Sequence, residues 1–307
     1  MNPLRGIALK LTAVMLFIIM AALIKAASDS VPPGQAVFFR SFFAIPVILV
    51  WLALRGELRT GLRVVSPMRH VWRGVIGTMA MGLKFTGLGL LPLPEVTALG
   101  YAAPLLTVVF AAMFLGERVG VFRLGAVALG LVGVLIVLAP RLSLLEGGAQ
   151  DPTAALGAVV VLMGAVCVAL AVIYVRILVQ TEHVAAIVFY FSVTASVLSL
   201  LTLPFGWAWP TGAEALMLIA AGVIGGMAQI FLTTSYRYAD AGVLAPFDYA
   251  SMLFALLIGY FIFSEVPTEP MLMGASLVIL AGLIIILRER HLGLKRSKAR
   301  SAKSTLG

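Results

Sequence analysis

The chain is a succession of apolar runs of about 20 residues, cut by short polar breaks, and that feature removes most folds from consideration. In lipid every backbone N–H and C=O must be bonded within the chain, so only helices and closed barrels cross a bilayer. Runs of this length suit spanning helices, because a barrel strand needs only about 10 residues of alternating character. Composition agrees: 62% of the 307 residues are hydrophobic, 11% are charged, and the mean hydropathy is +1.09. A soluble domain is roughly 45–50% apolar, so this chain lacks the polar surface to fold in water. The expected fold class is all-α, a polytopic membrane protein.

The breaks place ten spans near 7–27, 35–54, 70–90, 93–116, 121–139, 154–175, 184–203, 213–235, 242–264 and 270–288. With the N-terminus in the cytoplasm, the inner side receives Arg5, Lys10, the arginines of 55–73, Arg118, Arg123, Arg176, Arg237 and the basic tail RERHLGLKRSKARSAK. Outer loops receive only Arg141. The positive-inside rule then puts both termini in the cytoplasm of a multi-pass protein of the bacterial inner membrane. The formal charge of +9 is therefore read as a topogenic signal, not as a nucleic-acid surface. Arg5 and Lys10 before an apolar core imitate a signal peptide, but removing that segment would leave nine spans and an incomplete repeat.

The repeat is visible in GVIGTMA at 74–80 and GVIGGMA at 222–228. Carrying the same offset forward pairs Thr86 with Thr234, Tyr101 with Tyr249, Leu105 with Leu253 and Glu117 with Glu265. Slightly different offsets pair Gly125 and Gly133 with Gly274 and Gly282, Lys25 with Arg176, and Arg40 with Phe191. Each copy is five helices long, so the second enters the membrane from the opposite side, as inverted repeats related by a pseudo-twofold axis in the membrane plane. Such an arrangement suits alternating access. The domain division expected is a first repeat over 1–140, a periplasmic connecting loop over 141–153, a second repeat over 154–288 and a cytoplasmic tail over 289–307.

The stretch PEVTALGYAAPLLTVVFAAMFLGERV, followed by LGAVALGLVGVLIVLAP, resembles the EamA-type repeat of the drug/metabolite transporter superfamily, and FFRSFFAIP resembles its second-helix arginine motif. The resemblance implies a ten-helix fold of two inverted five-helix repeats, with the fifth and tenth helices peripheral. Within that superfamily the run from PPGQAVFFRSFFAIPVIL to GLLPLPEVTALGYAAPLLTVVF is similar to bacterial riboflavin transporters, with S-adenosylmethionine carriers and amino-acid or drug exporters as neighbours. The second half departs from the pattern at Phe191, opposite Arg40, and at Met252, opposite Pro104.

Charges inside spans mark the candidate site, since an ionised group at mid-bilayer costs about 2.5–3.5 kcal/mol and persists only against protein or water. Arg40, Lys84 and Glu95, with Lys25, fall in the outer half of the first repeat. They form either an ion-pair cluster, Glu95 neutralising Arg40 or Lys84, or a vestibule for a polar or anionic part of a solute. Asp240 and Asp248 fall in the inner half of the second repeat. Pro104 and Pro246 each free a carbonyl one turn earlier, marking kinks beside Tyr101 and Tyr249, which either stack against a ring or pack with bonded hydroxyls. Gln229, Tyr236 and Arg237 add polar lining. Glu95 and Asp248 are the proton-coupling candidates. Glu117 and Glu265 are read as acceptors for amides of the following helix, and the paired glycines as packing within each repeat.

No catalytic constellation is expected. His70, His183 and His291 fall in predicted loops or the tail and Cys167 stands alone, which leaves no ligand set for a metal or cofactor. There is no G-x-x-x-x-G-K-[ST] segment for ATP. The expected function is secondary transport of a small polar or heteroaromatic metabolite, riboflavin uptake being favoured, with the lipid bilayer as the other partner. Both monomer and homodimer stay open.

Overall fold

Pro3, Pro33, Pro67 and Pro152 each open a helix, because proline at the first helical position lacks only an N–H that would find no partner there, and its φ is preset. These helices are α1 (Pro3–Ala27), α2 (Pro33–Phe42), α4 (Pro67–Leu90) and α8 (Pro152–Leu178). The computed structural model describes residues 3–115, 121–142, 152–178, 181–238, 245–284 and 287. The expected tail, most of the expected connecting loop, Glu117 and Asp240 lie outside the described residues, as do the side chains of Arg176, Tyr236, Arg237 and Pro246.

Prolines inside spans interrupt them. Pro46 cannot donate to the carbonyl of Phe42 and crowds it, so the second span breaks at Phe43 into α2 and α3 (Ala44–Leu54), where the sequence reading has one helix. Pro104 breaks the fourth span at Tyr101 into α5 (Leu93–Gly100) and α6 (Ala102–Leu115). The span holding Pro246 opens as a 3-10 turn over Ala245–Tyr249 before α11 (Ala250–Phe263). The remaining helices are α7 (Val121–Leu142), α9 (Val184–Leu200), α10 (Gly212–Tyr238) and α12 (Glu269–Ile284). Together they make ten spans among the described residues, α2 with α3 and α5 with α6 each counting as one.

His70 is not in a loop. It is buried in the first turn of α4, with Nε2 3.5 Å from Oε1 of Glu182. The same oxygen accepts the amides of Val65 (2.9 Å) and Ser66 (2.8 Å), satisfying donors that a helix start leaves open.

The packing is its own image under exchange of the two halves. The first span α1 lies along the eighth, α10, and the third span α4 lies along the sixth, α8. In addition α2 meets α9 and α5 meets α11, so spans two and four each touch their own counterpart. This is the pattern of two five-helix repeats about a twofold axis. Outward-facing Val50, Met113, Phe114, Leu135, Phe261 and Ile262 are exposed, as a surface that meets lipid requires.

Gly133 on α7 and Gly274 on α12 face one another, and a Cβ on Gly133 would stand 2.7 Å from the Gly274 carbonyl oxygen. Gly133 and Gly274 therefore join the two repeats, where packing within each repeat is the expectation, while Gly282 packs on Tyr249 of its own repeat. Small residues are needed where two backbones cross closely, and the peripheral crossing is between halves.

Candidate functional site

Two pairs of repeat counterparts meet face to face. The Arg40 guanidinium lies 5.7 Å from the ring centroid of Phe191, and the rings of Tyr101 and Tyr249 lie 5.2 Å apart in an edge-on arrangement of 65°. Counterparts touch only near the axis that relates them, so the pseudo-twofold passes through both pairs.

Two adjoining cavities lie between the halves. The larger, about 390 Å³, is lined by Phe17, Lys84, Tyr101, Pro104, Asp248 and Ser251, among others. The smaller, about 240 Å³, is lined by Arg40, Arg73, Lys84 and Phe191 and shares Phe17, Lys84 and Val168 with the first. Their sizes fall around the lower part of the roughly 300–1,000 Å³ usual for small-molecule sites. The break at Tyr101 turns its hydroxyl toward the second half, where it meets Ser251 Oγ at 2.6 Å and the Tyr249 carbonyl at 3.3 Å.

The cations reach the cavity from α2 and α4. On α4, Arg73, Gly77, Ala80 and Lys84 recur at helical spacing and all face the smaller cavity. The sequence reading counts Arg73 with the inner loop; the helix carries it inward, its guanidinium 4.2 Å from the Phe191 centroid. Gly77 makes this possible, since a Cβ there would collide with Nη1 of Arg73. At Gly225, the repeat counterpart of Gly77, a Cβ would press on Met20 Sδ at 2.7 Å and only touch Arg40 Nε at 3.4 Å.

The ion pairs of the described residues involve other cations. Lys10 Nζ meets Asp248 Oδ1 at 2.6 Å, with Lys10 buried and Asp248 half-exposed toward the larger cavity. Lys25 Nζ meets Glu265 Oε1 at 3.0 Å and donates to the carbonyls of Leu88 (3.1 Å) and Leu91 (2.7 Å). Glu265 Oε2 accepts the Leu93 amide at 2.9 Å, so this carboxylate caps α5 of the other repeat, not the helix that follows it. No carboxylate of the described residues pairs with Arg40, Arg73 or Lys84. Cation–π contact returns about 0.5–2 kcal/mol, less than the cost of about 2.5–3.5 kcal/mol for each mid-bilayer charge. Water or solute must supply the difference.

Of the expected site residues, Arg40, Lys84, Tyr101, Pro104 and Asp248 are thus brought to one connected space. Glu95 is buried in the first turn of α5 and is not among the residues lining either cavity, nor does it neutralise Arg40 or Lys84. Gln229 borders a separate small hollow with Ile48, Trp51, Val184 and Val188. The Tyr249 hydroxyl points at Gly282 on α12, away from the cavity, so this tyrosine reaches the site through Tyr101. Sequence reasoning missed Arg73, Phe191 and Lys10. The spacing of Arg73 and Lys84 along one helix face, with only small residues between them, is the signal that finds the first.

Two interdigitated five-helix halves around a charged cavity define a membrane carrier built on inverted repeats. The chain belongs to the EamA-like transporter family, whose model matches residues 4–139 and 155–288. It is a multi-pass secondary transporter of small metabolites. A pseudopaline exporter of Pseudomonas aeruginosa is 31% identical over 280 residues, covering 90% of this chain and 94% of that protein. An S-adenosylmethionine uptake transporter of Rickettsia felis is 28% identical, covering 83% of each chain, and a riboflavin transporter of Rhizobium johnstonii is 30% identical, covering 84% of this chain and 82% of its own. Three solutes at similar identity leave the riboflavin subgroup unresolved. A crystal structure at 22% identity superposes with a TM-score of 0.66 over 94% of this chain and 98% of its own, which shows the shared fold.

Proposed function

We propose that the two joined cavities are the solute path of an alternating-access carrier for a small polar metabolite with a flat ring, riboflavin being the first to test. The observation that carries this reading is a space on the pseudo-twofold axis where groups from both halves converge: Lys84 and Tyr101 from one, Asp248 and Ser251 from the other. A site divided between halves changes which side it faces when the halves rock. Tyr101 offers the ring surface, while Lys84, Arg40 and Asp248 offer polar contacts. Tyr249, Glu95 and Gln229 act at one remove, by supporting the elements that line the path.

Asp248 is the carboxylate in the path that can exchange its lysine for a proton or a solute cation. We place both termini in the cytoplasm, the segment 141–153 in the periplasm and the chain in a bacterial inner membrane. The organisms of the relatives and the excess of basic residues in the inner loops and tail support that placement.

The test is growth rescue of a riboflavin auxotroph without its own importer, followed by uptake of labelled vitamin into vesicles. Rescue by the natural chain but not by Lys84→Ala, at equal membrane abundance, is expected. No rescue and no labelled uptake would remove riboflavin and pass the question to S-adenosylmethionine or an exported amino acid or drug. Collapsing the proton gradient during uptake checks coupling: accumulation should fall, and unchanged accumulation excludes protons.

A further inference from the structure

Arg73 is not needed by the transport reading, yet it shares one cavity wall with Arg40 and Lys84. All three side chains carry the same sign of charge. Like charges gathered inside a bundle call for an opposite charge. The Phe191 ring attracts both guanidinium groups, but a ring's face does not replace an acceptor for their N–H donors. Among the described residues, Arg40 Nε and Arg73 Nε and Nη1 find no hydrogen-bond partner. Each is an N–H that a carboxylate or phosphate oxygen can accept in a charge-assisted bond. Gly77 clears the space in which the Arg73 guanidinium lies.

We propose that Arg40, Arg73 and Lys84, arranged around Phe191, form a subsite for an oxyanionic solute carrying at least two negative charges, as two carboxylates or one phosphate. A single negative charge would leave two of the three cations unmatched. Arg73 is the specificity-determining member, since it turns a pair of cations into a triad. The proposal deepens the carrier reading and rests on it. It asks for more negative charge than uncharged riboflavin has.

The test uses the purified full chain in detergent. Thermal midpoints are recorded with citrate, succinate or inorganic phosphate against chloride at matched ionic strength, and separately with phosphatidylglycerol. At least one of the three oxyanions should raise the midpoint saturably while chloride does not, and Arg73→Gln should weaken that apparent affinity at least tenfold. Gly77→Ala, whose methyl displaces the Arg73 guanidinium, should reproduce the loss, and Gly82→Ala, with open space around it, should not. If Arg73→Gln does not fold, Gly77→Ala and Arg73→Lys carry the comparison.

An absent shift, or an equal shift in the variants, overturns the subsite. A shift with phosphatidylglycerol alone also overturns it, by assigning the cations to a lipid headgroup. Labelled riboflavin accumulating in vesicles without oxyanion binding ends the subsite and keeps the carrier. Oxyanion binding with no accumulation of any tested solute keeps the subsite and ends the carrier reading of this cavity.

Discussion

Phe191 stands where the repeat would place a second arginine, opposite Arg40 across the axis. Two unit charges at 5.7 Å repel by roughly 3 kcal/mol at an effective dielectric of about 20. A ring at the same place attracts the guanidinium by about 0.5–2 kcal/mol. The asymmetry is thus a requirement of contact on the axis. Phe191→Arg should lower stability by about 3 kcal/mol or more, seen as a depressed thermal midpoint in detergent, and an unchanged midpoint would mean the two residues do not face each other. The sequence shows that positions 40 and 191 correspond, but correspondence along a chain says nothing of contact. Arg73 was hidden for a different reason: its charge fits an inner loop equally well, and only the early start of α4 at Pro67 brings it into the bundle.

At the scale of elements, prolines do two jobs that can be read locally. They start helices at Pro3, Pro33, Pro67 and Pro152, and they break spans near Pro46, Pro104 and Pro246. What holds the broken ends is not local. The clamp of Lys25, Glu265, the Leu88 and Leu91 carbonyls and the Leu93 amide joins α1, the end of α4, the start of α5 and the end of α11. Glu265→Gln keeps an acceptor for the Leu93 amide but removes the counter-charge of Lys25, leaving a partly buried ammonium with carbonyls alone. Hydrogen exchange should become faster in peptides covering 86–97 and 258–268, and unchanged protection there would show that the pair does not hold this end. The carboxylate was expected to cap its own next helix. It caps the other repeat because inversion brings the end of α11 beside the start of α5.

At the scale of the whole molecule, the symmetry of contacts carries the most weight. An even number of spans requires both ends of the chain on the same face of the membrane. Tags at the two termini should therefore be protected or reached together in sealed vesicles, with the cytoplasmic face expected from the basic residues. Tags on opposite faces would break the five-plus-five arrangement and the carrier reading with it. Run length, the kinks at Pro104 and Pro246, the ten spans and the internal repeat were determined by the sequence alone, because each depends on short-range periodicity, on proline geometry or on the cost of placing charge in lipid. Which counterparts meet, that Arg73 joins Arg40 and Lys84, and that Glu95, Gln229 and the Tyr249 hydroxyl stand outside the cavity were decided only by the tertiary structure. The position of a pseudo-twofold axis follows from how two halves pack, and no single helix contains that information.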